Sequence, residues 1–283
     1  MKVFKLKTEI ADYLKSEQLK GKKIGFAPTM GALHSGHVSL VEKAKAENDI
    51  VVCSIFVNPI QFNNPSDLTK YPRTLDSDLK LLEEVACDVV FVPTALEMYP
   101  EPVTEKDNMT FGELDTLMEG KQRPGHFNGV GIVVKKLFEI VKPNKAYFGE
   151  KDFQQLAVVR KMVEQEKMAI EVIGCPIIRE NDGLAMSSRN TLLNELERKN
   201  SANIYRILSE AKLLTKSMNV AQLKDWVKTE INKIETLSLE YFEIADTYSL
   251  KSIEKWNDSN SVMGFIVVKA GNVRLLDNIV LIP

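Results

Sequence analysis

Short apolar runs alternate with helix-period segments from the start of the chain. KKIGFAPT reads as a strand ending at Pro28, HVSLVEKAKAEN as a helix, and DIVVCSIFVNP as a strand rich in β-branched residues. TLDSDLKLLEEV sets Leu75, Leu79 and Leu82 on one helical face, with acidic residues early in the element. CDVVFVP is a further buried strand, GVGIVVKKLFEIV a helix stopped by Pro143, KAYFGEK a strand, FQQLAVVRKMVEQE a helix and MAIEVIGCPII a strand. This rhythm predicts an α/β fold, a Rossmann-like doubly wound parallel sheet with helices on both faces. Beyond about Ile178 the pattern changes. Two long charged amphipathic stretches, roughly 191–216 and 219–235, lead into SLEYFEIADT and GFIVVKAGNVRLLDNIVL, the latter a hairpin turning at Ala270–Asn272. The expected organisation is therefore a first domain over 1–177 and a second, smaller α+β C-terminal domain over 178–283.

Composition changes this picture little. Of 283 residues, 44% are apolar and 27% charged, the profile of a soluble globular protein. A formal net charge of −2, without interleaved basic and aromatic residues, argues against nucleic acid and anionic membranes as partners. IVVCSIFV suits a buried strand and is too short to span a bilayer. The opening MKVFKLKTEIADYLK is unlike a secretory signal. Cys53, Cys87 and Cys175 are odd in number, far apart and set in apolar surroundings, which reads as buried reduced thiols in a cytoplasmic protein, with no zinc spacing.

Chemistry gathers where the strands end. In open parallel sheets ligands bind beyond the carboxyl ends of the strands, and polar clusters follow the predicted strands here: Thr29 to His37, Asn58 with Gln61, Gly149 to Asp152, and RENDGLAMSSRN. Two of the three histidines, His34 and His37, stand in PTMGALHSGH, in the stretch marked by Gly31 and Gly36. A strand, a glycine bend and a helix start leave backbone N–H groups and a helix dipole facing an anion. Histidines three residues apart on that first turn would point the same way and donate to phosphate oxygens as pyrophosphate leaves. The bland alternative is a helix cap with a partly buried ring. The bend is no P-loop, because His37 and Val38 replace its Lys and Ser/Thr, and Gly129-Val-Gly131 is no dinucleotide fingerprint, because Val134 takes the third glycine position. There is no G-x-S-x-G elbow and no plausible Cys–His pairing.

PTMGALHSGH resembles the HIGH-type motif of nucleotidylyltransferases and class I aminoacyl-tRNA synthetases, and SSRN the matching KMSKS-type loop. Together with FVNPIQF, YPRT, EGKQRPGHFNGV, YFGEKDFQQL and RENDGLAMSSRN, the order and spacing resemble the pantoate–β-alanine ligase family over nearly the whole chain. The resemblance implies a two-step reaction. The carboxylate of (R)-pantoate attacks the α-phosphorus of ATP, releasing pyrophosphate and forming pantoyl adenylate. The amine of β-alanine then displaces AMP to give pantothenate. It implies that Met30, Gly31, Ala32, Leu33, His34, Ser35, Gly36 and His37 line the ATP site, with His34, His37 and Lys151 as catalytic groups on the phosphates. Gly149, Glu150, Lys151 and Asp152 would contact the nucleotide, Ile178 would offer backbone to adenine, and Met186, Ser187, Ser188 and Arg189 would close over the triphosphate. Gln61 and Gln155 would hold pantoate, and Arg123 and His126 would form a lid over phosphates and pantoate. Several of these have plainer readings: Ser187 as a helix cap, KQRPGHF as a mobile surface turn, Gln61 as a solvent-facing loop residue. Arg73 has no assigned role, and Asp78 stays outside the firm set. The resemblance also implies Mg²⁺ as the partner of ATP, no protein metal site, and a homodimer. Two rivals remain at this level: a nucleotidylyltransferase that stops at the adduct, and a silent nucleotide- or RNA-binding module.

Overall fold

The computed structural model describes every residue of the chain except Asn64, and every side chain but that of Ser66 as well. The chain divides into two compact units, one of Met1–Glu150 with Gln154–Pro176, the other of Lys151–Phe153 with Ile177–Pro283.

Among the described residues the first unit carries six strands: β1 (Lys2–Phe4), β2 (Ile24–Thr29), β3 (Ile50–Ile55), β4 (Val89–Phe91), β5 (Lys145–Gly149) and β6 (Glu171–Cys175). They pair in the order β1-β4-β3-β2-β5-β6, every pair parallel. Strand alternation splits the sheet into two apolar faces. Ile24, Phe26, Ile50, Val52, Val89, Phe91, Ala146 and Phe148 pack against Ile10 and Leu14 of the helix Lys7–Gln18, the helix His126–Val141, and Leu156, Val159 and Met162 of the helix Phe153–Gln165. Ala27, Val51, Cys53, Val90 and Tyr147 face Leu40, Val41 and Ala44 of the helix Ser35–Glu47 and Leu82 of the helix Leu75–Glu84. The expected doubly wound sheet is present.

The short edge strand β1 and the helix Lys7–Gln18 have no counterpart in the sequence reading. The reason is physical: β1 has two exposed residues of three, and the helix is pinned chiefly by Ile10 and Leu14, so neither shows a strong period. The expected apolar face of TLDSDLKLLEEV holds at Leu82 and Leu79 but not at Leu75, which is exposed; Asp78 is buried in its place.

In the second unit β7 (Leu237–Asp246), β8 (Val262–Ala270) and β9 (Val273–Ile282) form an antiparallel sheet, the last two turning at Gly271 with φ +56°. Ile204, Ile207 and Leu208 of the helix Asn203–Leu214, and Val227 and Ile231 of the helix Val220–Asn232, cover it. The amphipathic stretch over roughly 191–216 forms two helices, Glu195–Ser201 and Asn203–Leu214, the first capped by Asn194 through a reciprocal bond pair with Glu197.

Cys53, Cys87 and Cys175 are free and buried, all against the second face of the first sheet. Burial pushes the Cys87 and Cys175 thiols up to about 11 and holds Cys53 well above its ordinary value, so they stay neutral and inert near neutral pH. No helix among the described residues is long and apolar enough to cross a membrane.

Candidate active site

Register places the polar clusters of the first unit in one row. Thr29 ends β2 beside Ile55 of β3, Phe26 pairs with Ala146 so that β5 runs alongside β2, and Gly149 ends β5 beside Cys175 of β6. The strand order reverses between β2 and β5, which makes the bend after β2 and the turn after β5 the switch point where such sheets take ligands.

The bend is built around two consecutive left-handed residues, Gly31 at φ +80° and Ala32 at φ +50°. Ala32 carries a Cβ there, a strained state that persists only when its surroundings hold it. Asp78, 2% exposed, does so: its carboxylate accepts from the N–H of Ala32 at 2.9 Å and of Leu33 at 2.8 Å, and from the Thr74 hydroxyl at 3.1 Å. A side chain at Gly31 would meet both Asp78 and Ile55 at 3.0 Å. Asp78→Asn replaces one acceptor oxygen by a donor and should cost about 1–3 kcal/mol of stability, read from urea unfolding.

His34 caps the helix Ser35–Glu47. Its Nδ1 accepts from Gly36 N–H at 3.1 Å, and His37 Nδ1 accepts from His34 N–H at 3.3 Å, a capping box made of two imidazoles. The rings stand 4.1 Å apart. Because both Nδ1 atoms accept, each neutral ring carries its proton on Nε2. The cap engages Nδ1 of each ring and not Nε2. One expectation needs correcting. The N–H groups of Ala32, Leu33, His34, Gly36 and His37 are all engaged within the protein, so the bend does not present an open row of backbone donors.

Gln61 lies on the turn Pro59–Gln61 after β3 and is 8% exposed, which removes the solvent-facing alternative. Its amide donates to the Met30 sulfur at 2.9 Å and accepts from Asn58 at 3.0 Å. Asn58 also donates to Gly129 C=O and accepts from the Tyr99 hydroxyl at 2.8 Å. Burial holds the Tyr99 phenol well above its usual range, so it stays a donor. His126 is no part of a surface turn. It is 5% exposed at the start of the helix His126–Val141 and donates through Nδ1 to Gln61 C=O at 2.9 Å. Its Nε2 therefore accepts from Arg123 at 3.0 Å, and Glu119 lies 3.8 Å from the same guanidinium. The expected lid is thus, at His126, a buried support for the Gln61 turn.

Gly129 lets that helix reach the turn: a Cβ would stand 2.6 Å from Ile60 O and 2.8 Å from Gln61 Cα, both backbone atoms. Gly129→Ala gains about 1 kcal/mol of helix propensity but must separate two backbones, an overpacking cost of about 1–3 kcal/mol. The clash wins. We expect a lower unfolding midpoint for Gly129→Ala, read from urea denaturation.

Gln155 is half-buried in the first turn of its helix. The neighbouring Gln154 is the structural one, tied to Glu119 N–H, Leu114 C=O and Leu117 C=O. Gly149 ends β5 and Glu150 opens the turn that follows.

In the second unit Lys151 and Asp152 approach no closer than 3.9 Å, with the lysine the more buried. Ile178 C=O accepts from Met186 N–H at 3.0 Å, and Arg179 pairs with Ala185, so RENDGLAM folds as a small hairpin. Ser187 caps the turn Ser188–Leu192 by accepting from Arg189 N–H at 3.3 Å. Ser187, Ser188 and Arg189 are half-buried there.

No group of three or more His, Cys, Asp or Glu side chains able to hold a metal gathers among the described residues. Asp78, the acid at the bend, commits its carboxylate to backbone and Thr74.

A family model described as pantoate-beta-alanine ligase matches residues 2–280. Pantothenate synthetases from Bacteroides fragilis and Phocaeicola vulgatus are 50% and 51% identical, covering 99% of this chain and 98% and 99% of theirs. The crystal structure of the pantothenate synthetase from Thermus thermophilus superposes with a TM-score of 0.93 at 39% identity over 100% of both chains. The Francisella tularensis pantoate-beta-alanine ligase, solved with beta-gamma ATP and beta-alanine, gives a TM-score of 0.84 at 36% identity over 99% and 98%. Bend, buried glutamine, topology and these likenesses lead to one conclusion: the chain belongs to the pantoate–β-alanine ligase family.

Proposed function

We propose that the chain condenses (R)-pantoate with β-alanine, consuming ATP and releasing AMP, pyrophosphate and pantothenate through a pantoyl adenylate. The observation that carries this reading lies within the first unit. The Gln61 amide rests against Met30, first residue of the histidine bend. An acid held by Gln61 is therefore brought to the place where two Nε2–H donors stand, and an amide that donates and accepts suits a hydroxy acid.

In the first step a pantoate carboxylate oxygen bonds to the α-phosphorus as the bond to pyrophosphate breaks. His34 and His37 donate from Nε2 to the charge that grows on the departing oxygens. Lys151, Ser187, Ser188 and Arg189 of the second unit are assigned to the triphosphate, because ammonium, hydroxyls and a guanidinium fork match phosphate oxygens. Gly149, Glu150, Asp152, Ile178 and Met186 complete the nucleotide contacts. In the second step the amine of β-alanine attacks the acyl carbon, AMP leaves, and the amine gives up its proton. Gln155 joins Gln61 on pantoate and Arg123 reaches the phosphates and pantoate, while His126 acts by fixing the Gln61 backbone. Mg²⁺ would accompany ATP and neutralise phosphate charge, with the phosphates supplying much of its coordination. The same reading makes the enzyme a cytoplasmic homodimer, its subunit number checked by light scattering.

A product assay tests the reaction. AMP and pantothenate should form in equal amounts only when both pantoate and β-alanine are present. A stable nucleotide adduct without an amide would instead establish a nucleotidylyltransferase.

A further inference from the structure

Strand β9 carries two adjacent buried polar residues that the reaction leaves without a role. Asp277 and Asn278 are each 5% exposed, in a strand whose neighbours are mainly apolar. Asp277 takes the fork of Arg179 at 2.7 and 2.9 Å. The same guanidinium donates to Gly183 C=O at 3.1 Å and Asn278 C=O at 3.3 Å, and lies 3.7 Å over the Tyr205 ring. Gly183, at φ +91°, has no room for a Cβ, which would meet Tyr205 at 2.5 Å. The hairpin that leads into Ser187, Ser188 and Arg189 is thus fastened to β9 at its base, and the same guanidinium reaches its tip.

Asn278 does something different. Its amide donates to the Lys151 carbonyl at 3.0 Å. Phe153, two residues on, packs on Phe265 with ring centroids 5.8 Å apart, and Phe265 is the register partner of Asn278 on β8. These contacts explain why Lys151–Phe153 groups with the second unit although its flanking residues do not. Buried ion pairs seldom recover their desolvation cost, and burial here pushes the Asp277 carboxyl up against the pull of Arg179. The pair is a weak stabiliser. As a geometric fixture it is well made.

We propose that Asp277 and Asn278 are positioning residues, two neighbours on one strand that hold the backbone of Lys151 and the hairpin before Ser187 in a single frame. The inference rests on the reading that Lys151 and the Ser187–Arg189 segment handle ATP.

The test is a double-mutant cycle on the full chain, read by pantoate-dependent pyrophosphate exchange into ATP, with unfolding followed in parallel. Asn278→Ala should raise KM for ATP or lower kcat by about tenfold, with KM for pantoate unchanged, and that loss should nearly vanish in a Lys151→Ala background, since only a lysine side chain can be misplaced. Should Asn278→Ala fold poorly, Asn278→Asp keeps the volume and turns a donor into an acceptor facing the Lys151 carbonyl. Equal losses in both backgrounds, or a lower melting point with unchanged exchange per folded molecule, would overturn the positioning role. An inactive wild type would overturn the functional reading and this inference with it; an active wild type with additive losses overturns this inference alone.

Discussion

His37→Ala should raise the adenylation barrier by about 2–4 kcal/mol, roughly 30- to 1,000-fold in single-turnover rate. Two effects are mixed in that variant. His37 Nδ1 is half of the cap on the helix Ser35–Glu47, and losing it should cost about 1 kcal/mol of stability. The Nε2–H donor is the part that bears on catalysis. His37→Gln separates them, because glutamine at the third helical position restores the reciprocal cap without an imidazole. We expect near-native unfolding in urea for His37→Gln and an adenylation rate still well below that of the wild type. Recovery of both stability and rate would reduce His37 to a capping residue.

Lys151→Ala should show a comparable loss of about 2–4 kcal/mol with almost no change in stability. Its partner Asp152 is 3.9 Å away and half exposed, a pair worth little in water. Its backbone carbonyl keeps the Asn278 bond whatever the side chain. Lys151→Arg preserves charge but widens the head group, so it should recover only part of the rate. Single-turnover adenylation at saturating ATP measures both. An unchanged rate in Lys151→Ala would remove the lysine from the phosphates.

The fold was legible where burial is extreme. DIVVCSIFV and KAYFG are covered on both faces, so their apolar runs are continuous and their neighbours periodic. The edge strand β1 is covered little and leaves no such mark. The bend was legible as chemistry, because glycines and two of three histidines crowd ten residues, yet its internal bonding was not. Nothing local to PTMGALHSGH says that Asp78, far along the chain, takes two of its N–H groups; only a buried acid in an amphipathic helix hints at it. The burial of His126 was hidden for a related reason: proline and glycine in KQRPGHF signal a turn, whereas the long-range bond to Gln61 that buries the imidazole has no sequence signature. Asp277 and Asn278 sit inside VRLLDNIVL, where DN reads as an ordinary break in an apolar strand.

Pyrophosphate exchange into ATP, with pantoate supplied and β-alanine withheld, tests the central claim most directly. A mixed anhydride formed before the amine arrives predicts rapid exchange that needs pantoate and no β-alanine. Exchange that appears only when β-alanine is added, in a well-folded and product-forming enzyme, would contradict an adenylate formed as a separate first step.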